Sequence, residues 1–224
     1  DWRMPPCFVL RSRRAHTKNA RAAGIAAPMS VAMLIILNCV SVVSVISPVV
    51  VSGAALPEGR SVRAHALRPG LSVALFVVLA DQATKALALA LLELYRPVEV
   101  LAFVNLRLAF NPGAAFSLLA DSGGWQHWLL SAVAVAVSGY LVYWLRGLRR
   151  AERLQWIGVA LVLGGAIGNL IDRLWHGVVI DFIDLHVRGW HWPAFNIADS
   201  AITLGVLAIV ISALREWRRE REAI

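Results

Sequence analysis

The residues best suited to chemistry lie near the C-terminal end. Asp181, Asp184 and Asp199 stand in GVVIDFIDLHVRGWHWPAFNIADSAITLG (177–205), among Val, Ile, Phe, Trp and Ala. Carboxylates are costly in apolar surroundings unless they are paired or hold a proton. Asp181 lies on an apolar loop just before an uncharged run, and Asp199 opens that run. A connection that folds back brings both to one place. Two close carboxylates cannot easily both ionise, so one pKa rises and the pair shares a proton. The ionised member can then activate a water while the protonated one polarises a scissile carbonyl. That is the requirement of aspartic peptide hydrolysis. Asp184, just past Asp181, is expected to point to solvent.

The other polar residues each carry two readings. Asp81 and Lys85 in DQATK sit at i, i+4 on one helix face. They are a structural ion pair or part of a functional site. In GGAIGNLIDR (164–173), Gly164 and Gly168 form a G-x-x-x-G that permits close helix packing. Asn169 and Arg173 share a face there and either cap and snorkel or order a polar pocket. In FNIADS (195–200), Asn196 suits an N-cap and Asp199 a capping-box acid at the positive end of the helix dipole. Capping alone accounts for both residues, and catalysis accounts for them equally.

Other chemistries lack their parts. The sequence holds no HExxH, no zinc-ligand spacing among its six histidines, no GxSxG elbow and no phosphate-binding glycine loop. Cys7 and Cys39 make neither a disulfide framework nor a CxxC site. No metal and no cofactor is expected.

The elements that hold these residues are membrane spans. The chain of 224 residues is 58% hydrophobic and only 16% charged, with mean hydropathy +0.65, too apolar for a soluble domain. Its net charge of +8 belongs to loops at a membrane surface rather than to nucleic-acid recognition. Uncharged runs predict four spans at about 69–90, 124–145, 154–173 and 197–215. The basic segments RSVRAHALR (60–68), RGLRRAER (146–153) and REWRRERE (215–222) fall on alternate connections. The positive-inside rule therefore puts both ends of the four-span unit in the cytoplasm and the motif-bearing loops outside. Trp125, Trp128, Tyr140, Tyr143, Trp144, Trp156 and Trp175 cluster near span ends, as interfacial belts do. VEVLAFVNLRLAF (98–110) alternates like strands on the membrane surface, and AAFSLLADSGG (114–124) reads as a short amphipathic helix. The expected fold is thus an all-α membrane protein of four transmembrane helices with a small extracytoplasmic β-cradle and a short amphipathic helix. Residues 1–60 form an extension in which the uncharged run 22–57 has basic flanks on both sides, which a single span does not accommodate. Residues 61–224 are expected to insert and act without it.

DQATK, NPGAAFS (111–117), GGAIGNLIDRLWHGVVIDF (164–182) and FNIADSAITLG (195–205), in that order, resemble the lipoprotein signal peptidases, or signal peptidase II family, over about residues 66–216. The resemblance implies an aspartic endopeptidase of the bacterial inner membrane. Its substrate would be a prolipoprotein carrying diacylglycerol on a cysteine, cut just before that cysteine. The implied catalytic pair is Asp181 and Asp199. Asp81, Lys85, Asn111, Gly113, Asn169, Arg173 and Asn196 are implied as supporting or substrate-binding residues. Membrane lipids are the implied surroundings, and a monomer is expected.

Two rivals come from other classes. A proton-coupled transporter would use Asp81, Lys85, Asp181 and Asp199 as a relay through the membrane, whereas the polar residues here gather at span ends on one side. A scaffold whose charges only cap and anchor leaves that gathering unexplained.

Overall fold

The computed structural model describes residues 65–112 and 126–222. Four helices dominate it: α1 (Leu67–Leu91), α2 (Gln126–Gly147), α3 (Arg153–His176) and α4 (Ile197–Glu222). Each holds a window of mean hydropathy between 1.7 and 2.2 and is long enough to cross a bilayer. In lipid a backbone must satisfy its own polar groups, and a helix does so within one segment. The last helix runs past the expected end at 215, because its basic tail REWRRERE stays helical.

The bundle is built around α3, which packs against α1, α2 and α4. Glycines let it approach. A Cβ at Gly164 would lie 2.7 Å from the Ala74 carbonyl oxygen of α1. Gly158 of α3 and Gly205 of α4 face each other, and a Cβ at Gly205 would lie 2.6 Å from the Gly158 carbonyl oxygen. At Gly165 an added Cβ would collide with the Ala198 carbonyl oxygen and with Ile202. Small residues of this kind allow the close helix packing that lipid solvation cannot supply. Backbone cannot yield as a side chain can, so Gly165→Ala is expected to cost about 1–3 kcal/mol by overpacking and to displace the first turn of α4. Gly139→Ala in α2, where nothing lies within 4 Å, is the matched control and should leave the unfolding temperature unchanged or slightly raised. Equal unfolding temperatures for the two variants would refute the account.

At one end of the bundle lies a four-stranded antiparallel sheet in the order β1 (Val98–Leu101), β2 (Val104–Asn111), β3 (Val179–Val187), β4 (Trp190–His191). The alternation in 98–110 thus appears as β1 and β2. The segment after α3 departs from expectation, since Asp181 lies on strand β3, opposite Ala109 of β2, rather than on a loop. The run VVIDF is short and β-branched, and β2 offers it a free edge. Gly177 ends α3 in the left-handed conformation (φ 73°) and turns the chain into β3. Arg188 (φ 51°) and Gly189 (φ 82°) form the tight turn to β4.

Asp184 also departs from expectation, being fully buried rather than solvated. Its two carboxylate oxygens lie 3.0 and 2.9 Å from Nδ1 of His191 on β4, and Asn105 stands opposite on β2. The hairpin folds over this face of β3, which a loop reading does not foresee. Trp128, Tyr143 and Trp175 are exposed, as a belt requires, whereas Trp144 is buried and packs on Tyr140 inside the bundle. The expected amphipathic helix at 114–124, the tryptophan at 125, Gly113 and the extension 1–60 lie outside the described residues.

At the opposite end, the Ala66 amide donates to the Leu148 carbonyl at 3.1 Å, and His65 bridges Arg149. The start of α1 is thereby tied to the α2–α3 connection.

Candidate active site

The polar groups meet where the sheet rests on the bundle. Asn196 is the hinge of the arrangement. It precedes α4, and its side-chain oxygen accepts the Asp199 amide at 2.9 Å while its own amide donates to Asp199 Oδ2 at 3.3 Å. This is the reciprocal capping box, so the capping reading holds as geometry. That donor is the Asn196 backbone N–H, whereas the nitrogen of its side-chain amide turns away from the helix. Its Nδ2 donates to Asp181 Oδ1 at 2.8 Å and to Asn169 Oδ1 at 3.1 Å. One side chain therefore caps the helix that carries Asp199 and holds Asp181 beside it.

The two carboxylates differ in surroundings. Asp181 is buried, with Oδ1 on Asn196 and Oδ2 accepting from Asn111 Nδ2 at 3.1 Å. Burial pushes its carboxyl up to about 7, and the Asp199 charge adds to the rise, while the Asn111 and Asn196 amides oppose it. Asp199 is half-buried, and its Oδ1 accepts from Asn169 Nδ2 at 2.8 Å. Arg173 donates to the Asn169 carbonyl at 3.3 Å and lies within electrostatic reach of Asp199, Asp172 and Asp181.

Beneath the pair is a buried charged cluster. Lys85 Nζ meets Asp81 Oδ2 at 2.8 Å, Asp172 Oδ2 at 2.7 Å and Asn169 Oδ1 at 3.0 Å. Its three N–H bonds have three acceptors. The i, i+4 pairing of Asp81 with Lys85 is therefore present, but as part of a triad. Gln82 Nε2 adds a donor to Asp172 Oδ1 at 3.0 Å. Each acid also grips backbone. Asp81 Oδ1 accepts the Ala198 amide at 2.8 Å, and Asp172 Oδ2 accepts the Ile180 amide at 3.1 Å. Ala198 immediately precedes Asp199, and Ile180 immediately precedes Asp181. The cluster thus holds the chain just before both carboxylates, and Lys85 joins the two grips.

The structure brings together Asp81, Lys85, Asn111, Asn169, Arg173, Asp181, Asn196 and Asp199. Asp172 and Gln82 belong with them and were not singled out from sequence. Asp172 sits at i+3 from Asn169 on one face of α3, which was the available signal.

The family model for signal peptidase (SPase) II matches residues 73–215, a span that contains all ten of these residues. The chain belongs to the signal peptidase II family. It is 49% identical over 156 residues to the lipoprotein signal peptidase of Paraburkholderia phymatum, covering 69% of this chain and 93% of that protein. It is 47% identical over 146 residues to that of Polynucleobacter necessarius, covering 65% of this chain and 89% of the relative. A solved structure described as a bacterial membrane enzyme, obtained by the in meso method at 1.9 Å resolution, superposes with TM-score 0.61 at 30% identity. The match covers 69% of this chain and 98% of that one. Signal peptidase II membership makes this chain a peptidase, and its four spans and membrane-enzyme neighbours make it a multi-pass membrane protein.

Proposed function

We propose that this chain is an aspartic endopeptidase that removes the signal peptide from diacylglyceryl-modified prolipoproteins, cutting just before the lipidated cysteine. The single observation that carries the reading is the hold of Asn196 on both carboxylates, with Asp181 raised to about 7 beside Asp199. In this reading Asp181 keeps the shared proton and Asp199, half-open to its surroundings, is the base. Water attacks the scissile carbonyl carbon and gives a proton to Asp199, while Asp181 passes its proton to the carbonyl oxygen. The tetrahedral diol then collapses. Its hydroxyl proton returns to Asp181, and Asp199 delivers its proton to the departing amine, so the pair ends as it began. Asn111, Asn169, Arg173 and Asn196 orient the acids, and Gly113 is by resemblance a supporting or substrate-binding residue.

The names of the curated relatives support the substrate, and the position of the acids at span ends suits a bond that lies at a membrane surface. The basic segments at 146–153 and 215–222 favour an inner-membrane protein with both ends of its four-span unit cytoplasmic and the site facing out. We read the enzyme as a monomer built from residues 61–224. Purified protein in detergent should cleave a prolipoprotein peptide carrying diacylglyceryl cysteine. The unlipidated peptide should be cut far more slowly, since the membrane lipid anchor delivers the bond to the site. Equal rates on the two peptides would remove lipid from the reading.

The proton on Asp181 gives a pH test. A carboxyl raised to about 7 is protonated below that value, so the rate should fall as pH rises through about 7. Stability follows the same direction. Asp181 stabilises the fold fully below the ordinary carboxylate range, and that contribution is lost as pH rises through about 7. Asp181→Asn should remove this slope from thermal unfolding curves. A rate that is flat across neutral pH would contradict the assignment of the proton.

A further inference from the structure

We propose that the end of the bundle opposite the aspartate pair holds a binding site for the phosphate headgroup of an anionic phospholipid. A cleft of about 470 Å³ opens there, lined by His65, Leu67, Arg68, Arg146 and Arg150. A second cleft of about 410 Å³ lies beside it and shares Arg150, with Arg153, Pro69, Trp156 and Ile157 in its wall. None of Arg68, Arg146, Arg150 or Arg153 forms an ion pair among the described residues. The one acid of the connection, Glu152, accepts the Arg149 backbone amide at 2.6 Å instead. The C-terminal tail shows the contrast. There Arg215, Arg218, Arg219 and Arg221 alternate with Glu216, Glu220 and Glu222, and Arg221 stacks on Trp217 at 4.0 Å. The tail intersperses three glutamates among its four arginines, whereas the arginines lining the cleft have no acid beside them in its wall.

The cleft is also built rather than draped. The Ala66 amide bonds to the Leu148 carbonyl, and Gly70 packs so closely on Leu145 that an added Cβ would lie 2.6 Å from its Cδ2. The start of α1 and the end of α2 therefore hold their arginines at a fixed separation. Trp156 Nε1 donates to the Arg150 carbonyl at 3.4 Å, anchoring the connection against α3. Leu67, Pro69, Trp156 and Ile157 continue the walls toward the apolar spans, where acyl chains would run. Guanidinium forks match phosphate oxygens, and basic pockets between helices at a membrane surface suit anionic headgroups. A free phosphate shares the headgroup chemistry but makes no use of the apolar walls.

The test uses the full chain reconstituted in phosphatidylcholine vesicles with or without phosphatidylglycerol or cardiolipin. Lipid retained through detergent extraction is read by native mass spectrometry. The wild type should retain the anionic lipid in preference to phosphatidylcholine. The triple variant Arg68→Gln, Arg146→Gln, Arg150→Gln should weaken that retention roughly a hundredfold, about fivefold per arginine. The tail variant Arg218→Gln, Arg219→Gln should retain it as the wild type does. Thermal unfolding reports whether the triple variant is folded. If it is not, Arg150→Gln alone, which borders both clefts, should weaken retention about fivefold. Unchanged retention in the folded variants, or equal loss in the tail variant, overturns the site. Displacement of the lipid by millimolar inorganic phosphate overturns the headgroup reading in favour of a free anion.

Discussion

Asp181→Asn and Asp199→Asn should each lower cleavage of a lipidated prolipoprotein peptide by about 10²–10⁴-fold or more while the protein stays folded in the membrane. The geometry explains why the fold should survive. Asp181 accepts one hydrogen bond on each oxygen, from Asn196 and Asn111. An asparagine at 181 keeps one acceptor for Asn196, and a rotated Asn111 amide can present its oxygen to the new NH2. At 199 the substitution keeps an acceptor for Asn169 and forfeits only the longer bond, 3.3 Å from the Asn196 amide. The capping bond that matters most runs from the backbone N–H of residue 199 to the side-chain Oδ1 of Asn196, so a change of the 199 side chain leaves it untouched. Asparagine also caps helices well. Neither variant, however, can take a proton from water or share one. Circular dichroism, thermal unfolding and the cleavage rate measured together decide the matter. Substantial activity in either variant would remove that residue from catalysis. An unfolded Asp199→Asn would mean that its carboxylate is chiefly a cap.

Much of this site was readable because its signals are local. The i, i+4 spacing of Asp81 and Lys85, the N-cap pattern of Asn196 with Asp199 and the uncharged runs need only helix geometry. What was hidden depends on partners far along the chain. Asp181 on β3 is paired with β2 across some seventy residues of sequence, as its bond to Asn111 shows. An isolated VVIDF reads as loop or strand equally, and the neighbouring edge decides it. Asp184 is buried for the same reason, since the hairpin to β4 lays His191 over it. Asp172 carries no signal of its own in the sequence beyond its place three residues after Asn169. Its true partners, Lys85 and the Ile180 amide, come from another helix and from the strand. Sequence spacing cannot register a triad whose members sit on two helices.

That triad yields the second large effect. Lys85→Met should destabilise the protein by about 3–5 kcal/mol and abolish cleavage, because it removes the ammonium that pairs with two buried carboxylates. Asp81 and Asp172 are both essentially excluded from solvent, so neither can recover hydration when the ammonium is lost. The apolar methionine fills the space and supplies none of the three donors. The damage then spreads along the grips. Asp81 holds the Ala198 amide and Asp172 the Ile180 amide, so repulsion between the two acids pulls on the backbone before Asp199 and Asp181. Asn169 also loses the ammonium that orients its oxygen, and its amide is the donor to Asp199. A second substitution separates stability from alignment. Asp172→Asn lowers the charge mismatch of the Lys85→Met background and should restore part of the unfolding temperature. It should not restore the rate, because the grip on Ile180 remains without its cation. Single variants and the double variant, each measured for thermal unfolding and for cleavage, make a thermodynamic cycle. Recovery of both properties together would show the cluster to be a stabilising ion pair alone. Recovery of stability without rate would assign it the alignment of the two aspartates.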